Sequence, residues 1–149
     1  MAAEPFDLST TFVHLGSGAR ALPLPGFSWT SDYLRGYLRT FAAERDERRL
    51  VGIVSLAETW RHWECHVGGD ELVVQLSGRS AIVQEVNGEH HTIELGPGQA
   101  LINPRGTWHT SDVYEPGQSL FVAAGRQTKY RPRDLAPTPA AEFAGHDRP

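Results

Sequence analysis

Residues 59–78 read TWRHWECHVGGDELVVQLSG, and the spacing inside this stretch decides the fold. TWRHWECH and ELVVQLSG are β-type runs, and the Gly68-Gly69-Asp70 segment between them is a turn. On a strand, successive side chains alternate faces, so His62, Glu64 and His66 point the same way. Glu71 then returns just beyond the turn. Three potential metal ligands on one strand face, with a carboxylate across the next turn, is not the pattern of a solvated surface.

The same texture extends outward on both sides. From Leu50 to Ala124 the further runs are LVGIVSLA, SAIVQEV, HHTIEL, QALIN, WHTSDVY and QSLFVAA, divided by SGR, NGE, GPG, PRG and EPG. Short strands at this spacing with glycine-containing hairpins predict an antiparallel sandwich or barrel. Asn87-Gly88 is the clearest hairpin signal. No internal repeat is visible, so one barrel is expected over 50–125. Upstream, residues 1–29 read as an irregular, extended segment, with GSGAR and LPLPGF as turns. Tyr33, Leu34, Tyr37, Leu38 and Phe41 recur at helical spacing, with Thr30 or Ser31 as cap and Asp32 in the first turn, which predicts a helix over 30–49. Residues 126–149 are rich in proline and arginine and read as extended chain over the barrel.

The 149 residues carry a net charge of −4 and a pI near 5.9. That balance gives no reason to expect nucleic acid or an anionic membrane as partner. No apolar run is long enough for a membrane span, and the N-terminus lacks the features of a signal peptide, so a cytoplasmic protein is expected. Cys65 is the only cysteine, which excludes an internal disulfide and a cysteine-only zinc site.

ECHVGGDELVVQLSG followed by GPGQALINPRGTWH resembles the two motifs of the cupin superfamily, small β-barrels of jelly-roll type. His66 stands at the second histidine of the first motif, Glu71 at its glutamate and Gly78 at its closing glycine. Gly98, Pro104, Gly106 and His109 fit the second motif without a gap. Two positions depart: the first histidine is Glu64, and the asparagine that often closes the second motif is Val113. The resemblance implies an all-β fold, a single cupin barrel with one N-terminal α-helix. It also implies a divalent metal (iron, manganese, nickel or zinc) held by Glu64, His66, Glu71 and His109, with His62 beside it as candidate base or substitute ligand. Two carboxylates in one cavity repel, so one of them is expected to have a raised pKa.

The remaining residues carry less. His90 and His91 follow a hairpin turn and read as solvated. Cys65 is opposite in phase to Glu64 and His66 and should face away from the pocket. Trp60, Trp63 and Trp108 read as core or interface, with an aromatic wall around a ligand as the alternative. Arg126, Lys129, Arg131 and Arg133 read as a solvated tail, or, for some of them, as groups that reach the barrel mouth and meet an anionic substrate. Two functions stay open: a metal-dependent enzyme acting on a small oxygenated molecule, of oxygenase, isomerase or lyase type, or a non-catalytic module that binds a small ligand without metal. Pairing of barrels as a homodimer is expected from exposed apolar strand faces.

Overall fold

Two-residue alternation governs the long strands, and it survives a change of phase in the middle of one of them. In the computed structural model, which describes residues 3–124 and 127–135, strand β5 runs Glu71–Val86 as one element of 16 residues. Glu71, Val73 and Gln75 are buried while Leu72 and Leu76 are exposed. Irregularities between Gln75 and Ser80 then shift the register against the partner strand, so that Ser80 and Ile82 take over as inward residues. Such bulges bend a strand and re-aim its side chains. This is why two runs in the sequence, ELVVQLSG and SAIVQEV, are a single strand.

The described elements in chain order are β1 (Thr11–Gly16), β2 (Arg20–Pro25), α1 (Ser31–Thr40), β3 (Arg49–Leu56), β4 (His62–His66), β5, β6 (Glu89–Leu95), β7 (Ala100–Asn103), β8 (Trp108–Ala123) and β9 (Thr128–Pro132). They form one curled antiparallel sheet in the order β2-β1-β3-β8-β4-β9, with β5 pairing β6, β7 and β8. Strand β8 is again two sequence runs fused. The hairpin at Asn87-Gly88 is as the sequence reads: both residues have positive φ, 54° and 80°, and Val86 pairs with Glu89 across it, the geometry of a two-residue turn.

The ends of the chain differ from the expectation. Residues 11–25 are not irregular. They form the β1–β2 hairpin at one edge of the sheet, where β2 alternates Leu22 and Leu24 with Pro23 and Pro25; proline is tolerated in an edge strand because no neighbour needs its missing N–H. The tail also contributes a strand, since β9 pairs with β4 from His62↔Pro132 to His66↔Thr128.

The helix is shorter than 30–49. The Thr30 side chain accepts a hydrogen bond from the Tyr33 N–H, capping α1. The helix stops at Thr40, whose hydroxyl donates back to the Gly36 carbonyl, and a 3₁₀ segment, Ala42–Glu47, follows with Arg45 at positive φ. The cause is tertiary. Glu44 turns inward, with Oε2 2.8 Å from Nε2 of the fully buried His14 and its other oxygen paired to Arg20. His14 Nδ1 lies 2.9 Å from the Tyr37 hydroxyl, and Phe41 stacks on the same imidazole at 3.7 Å. This buried polar cluster pins the helical segment to β1, and breaking the helix at Phe41 is what brings Glu44 into reach.

Inside the sheet, Phe12, Leu50, Phe121 and Ala123 form the main apolar cluster, with Phe27 stacked on Phe12 at 4.4 Å. The outer face is apolar too. Val13, Val51, Val122, Leu72 and Ile102 follow one another across β1, β3, β8, β5 and β7 by register. Ile53, Leu120, Val74 and Ala100 make a second row beside them. Ile102 is 58 % exposed and Leu76 40 %. No helix among the described residues is long and apolar enough to cross a membrane.

Candidate metal centre

Backbone hydrogen bonds between two turns assemble the site. The Gly106 N–H donates to the His66 carbonyl at 2.9 Å. The Arg105 N–H donates to Asp70 Oδ1 at 2.7 Å, and the Arg105 guanidinium to the Gly68 carbonyl at 3.1 Å. The PRG turn is thereby tied to the GGD turn, and Gly106 takes φ 78°, a conformation that favours glycine. The clasp starts β8 in register with β4, so that His109 sits directly across from Glu64.

Glu64, His66 and His109 each present a ligand atom within 4.8 Å of the other two. Glu71 lies between the imidazoles, with Oε1 3.3 Å from His66 Nε2 and Oε2 3.2 Å from His109 Nε2. Neither approach has the geometry of a hydrogen bond, and both Nε2 atoms are buried without a hydrogen-bond partner. The other ring nitrogens are committed: His66 Nδ1 is 3.0 Å from the Thr128 hydroxyl, and His109 Nδ1 is 3.1 Å from the Thr107 carbonyl. An imidazole whose Nδ1–H is held by an acceptor turns the Nε2 lone pair outward. Two such lone pairs converging beside carboxylates fit a divalent metal, and two imidazoles with one carboxylate is a donor set that leaves positions open.

Glu71 is not the raised carboxyl of the pair. Burial alone would raise Glu71, but the adjoining His109 and His66 outweigh it and hold its carboxyl well below the usual range. Burial alone would lower His66; Glu71 and then Glu64 raise it instead. Imidazoles between the carboxylates relieve the repulsion that the sequence suggests. Glu71 is further fixed by Asn103, whose Nδ2 donates to Oε2 at 2.9 Å, and Asn103 in turn accepts from Gln84 at 2.8 Å.

His62 lies at the rim, 40 % exposed, with Nε2 3.0 Å from Glu64 Oε1 and its ring stacked on Trp60 at 4.9 Å. Cys65 is buried and is not among the residues lining the cavity. His91 is exposed, and His90 is exposed on its own side of the sheet, 3.5 Å from Glu85 and packed on Trp63. Two arginines of the tail are not simply solvated: Arg131 pairs with Glu85 and stacks over Trp63 and Trp108, and Arg133 pairs with Asp112 at 2.7 Å. Lys129 is exposed, and Arg126 lies outside the described residues.

Four contributors escape a reading of the sequence. Asn103, Thr128, Tyr130 and Ser111 all line the cavity. Burial, then the Glu64 carboxylate, pushes the Tyr130 phenol up. The signal for Asn103 was present: in ALIN it shares a phase with Leu101 and opposes the outward Ala100 and Ile102. Nothing local marks Thr128 and Tyr130, because their place depends on β9 finding β4.

The cluster lines a cavity of about 500 Å³, well within the range of small-ligand sites. Leu34, Tyr37 and Leu38, one face of α1, cover part of it, and Val73, Ile82 and Phe121 belong to its sheet walls.

No protein-family model matches the chain, and no curated protein sequence does. Solved structures do match. The manganese(II)-containing oxalate decarboxylase of Bacillus subtilis superposes with a TM-score of 0.50 at 15 % identity, over 64 % of this chain and 26 % of that one. A cupin-2 domain protein of Shewanella frigidimarina gives 0.45 at 18 % identity, over 51 % and 70 %. Cobalt(II)-bound HppE in complex with its substrate gives 0.44 at 11 % identity, over 50 % and 44 %. At these identities the likeness concerns the fold, and it is the first of the three superpositions that supports it.

Proposed function

Because this chain folds as a cupin barrel, with two imidazoles and two carboxylates gathered in its cavity, we propose that it is a metal-dependent enzyme acting on a small organic molecule. His66, His109 and Glu64 hold a divalent ion, iron, manganese, nickel or zinc, and Glu71 adjoins it as a fourth donor. The observation that carries this reading is the pair of buried Nε2 atoms without partners, a costly arrangement unless something fills the space between them. The bound ion supplies Lewis acidity or, for a redox-active metal, electron transfer.

The chain's own residues do the rest. Thr128 and the Thr107 carbonyl fix the two imidazoles, and Asn103 fixes Glu71. His62 keeps Glu64 Oε1 engaged while Oε2 faces His66 at 3.8 Å. Half in solvent, His62 is the group placed to hold or pass a proton between that carboxylate and bulk water. The apolar walls exclude water from the remainder of the cavity.

The test is metal retention. Protein stripped by a chelator and offered iron, manganese, nickel and zinc in turn should keep one equivalent. His66→Ala and His109→Ala should keep none, while His90→Ala and His91→Ala behave as wild type. If wild type keeps no metal at all, the cavity is a metal-free pocket and the protein a binding or sensor module.

The outer sheet face supports a second element of the proposal, a homodimer. Its two apolar rows run across strands from β1 to β7 and are flanked by Arg49, Ser55 and Gln118, an apolar centre within a polar rim.

A further inference from the structure

We infer that the ligand of this cavity is an uncharged molecule, with an aromatic or aliphatic body and at least two hydrogen-bonding atoms. The inference deepens the metal-centre reading and rests on it for one of those atoms. Three observations carry it.

The first is charge. Among the described residues, the cavity is lined by no lysine or arginine, and its only carboxylates are Glu64 and Glu71. A divalent ion held there brings the formal charge of the carboxylates and metal together to zero, where a set of neutral histidines would leave it positive. A carboxylate or phosphate entering this space would shed its hydration and meet a metal centre whose charge the two carboxylates already balance, with no lysine or arginine beside it. With the metal removed, such a ligand meets two carboxylates and no lysine or arginine, so the preference has the same sign in both states.

The second is the wall. Leu38, Val54, Leu56, Val73, Ile82 and Phe121 all face the cavity. An apolar body displaces poorly held water from such a surface, and a polar one leaves its own groups unpaired.

The third is Ser111. It is fully buried, lines the cavity, and its hydroxyl has no hydrogen-bond partner. An orphaned hydroxyl on a residue of the cavity wall points to a ligand atom that completes it. Ser111 stands two residues beyond His109 on β8, so its hydroxyl is the next inward group along that strand, roughly 7 Å of rise from the metal-binding imidazole. A ligand that meets the metal centre with one oxygen can therefore present a second polar atom to Ser111 along its own length.

Isothermal titration with two probes of one ring system tests this: naphthalene-2,6-diol, neutral at pH 7 with an oxygen at each end, and 6-hydroxy-2-naphthoate. Each is titrated into chelator-treated protein and into zinc-loaded protein, with bound zinc measured on the same samples. The expected result is binding of the diol in both states, at least tenfold tighter than the naphthoate. Ser111→Ala should weaken the diol at least threefold without lowering the melting temperature. Equal or tighter binding of the naphthoate overturns the inference, as does failure of the diol to bind up to its solubility limit. Unchanged affinity in Ser111→Ala overturns the second hydrogen-bonding atom. Failure to retain zinc with diol binding intact overturns the metal centre and leaves the uncharged ligand standing.

Discussion

Replacing Thr128 by valine tests the metal centre without touching a ligand. Valine keeps the β-branched shape that suits strand β9 and removes only the oxygen 3.0 Å from His66 Nδ1. Partners that orient a ligating imidazole are worth about 10–100-fold in metal affinity, or about 1.4–2.7 kcal/mol. The His66 side chain is 8 % exposed, so water has poor access to replace the lost oxygen, and the upper half of that range is expected. The metal-free protein should lose stability as well, by about 1–3 kcal/mol for a buried group left unpaired. Thr110→Val is the control. Its hydroxyl donates to the His62 carbonyl at 2.7 Å, so it should lose stability while keeping metal affinity. The assay is competition for zinc against a chromophoric chelator at fixed pH, with thermal unfolding run alongside. If Thr128→Val loses stability but binds zinc within twofold of wild type, Nδ1 anchoring does not prepare Nε2, and the reasoning is wrong.

Three other outcomes follow from the structure. Glu44 is held below its ordinary value of 4.5: burial opposes this, but Arg20, His14 and the Ser17 N–H outweigh it. A depressed carboxyl stabilises the fold above its unfolded pKa and stops doing so as the pH falls through its folded one; the melting-temperature gap between wild type and Glu44→Gln should therefore be widest near neutrality and close as the pH drops below about 4.5. Light scattering should give twice the 16.5 kDa of one chain, and Val74→Lys, at the centre of the apolar outer face, should give the single-chain mass; a wild-type monomer at micromolar concentration contradicts the dimer. At Gly117 an added Cβ would collide with the backbone carbonyl of Ser77, so Gly117→Ala should cost about 1–3 kcal/mol, seen as a lowered melting temperature.

The β texture, the Asn87-Gly88 hairpin and the inward phase of His66 and Glu71 were legible because each depends on a few adjacent residues. The cupin resemblance added what spacing alone does not supply, that His109 joins them from a distant hairpin. Three things were hidden, each for a physical reason. The fusion of runs into β5 and β8 depends on bulges at Ser77–Ser80, where the register against the partner changes and the inward phase flips. Strand β2 was masked by Pro23 and Pro25, acceptable only because β2 lies at an edge. The electrostatics of Glu71 rests on contacts the sequence does not display: a carboxylate pair predicts one raised carboxyl, but each Glu71 oxygen faces an imidazole, and that proximity lowers this one. His14, fully buried with both ring nitrogens engaged, carried no local signal at all.

The pairing of Thr128 with His66 joins residues 62 apart in the chain, and this bears on when the site comes into being. Synthesis proceeds from the N-terminus, so β9 is the last of the described strands to be made. Glu64, His66, Glu71 and His109 are all made before β9, so any barrel that forms without β9 would gather the four candidate donors while His66 still lacked its hydroxyl partner. An ion captured at that stage would meet one imidazole set by a backbone carbonyl and another still free to turn. Docking of β9 covers the free edge of β4 and supplies the hydroxyl beside His66, so on the metal reading proposed above full competence to hold an ion would come late in the life of the chain.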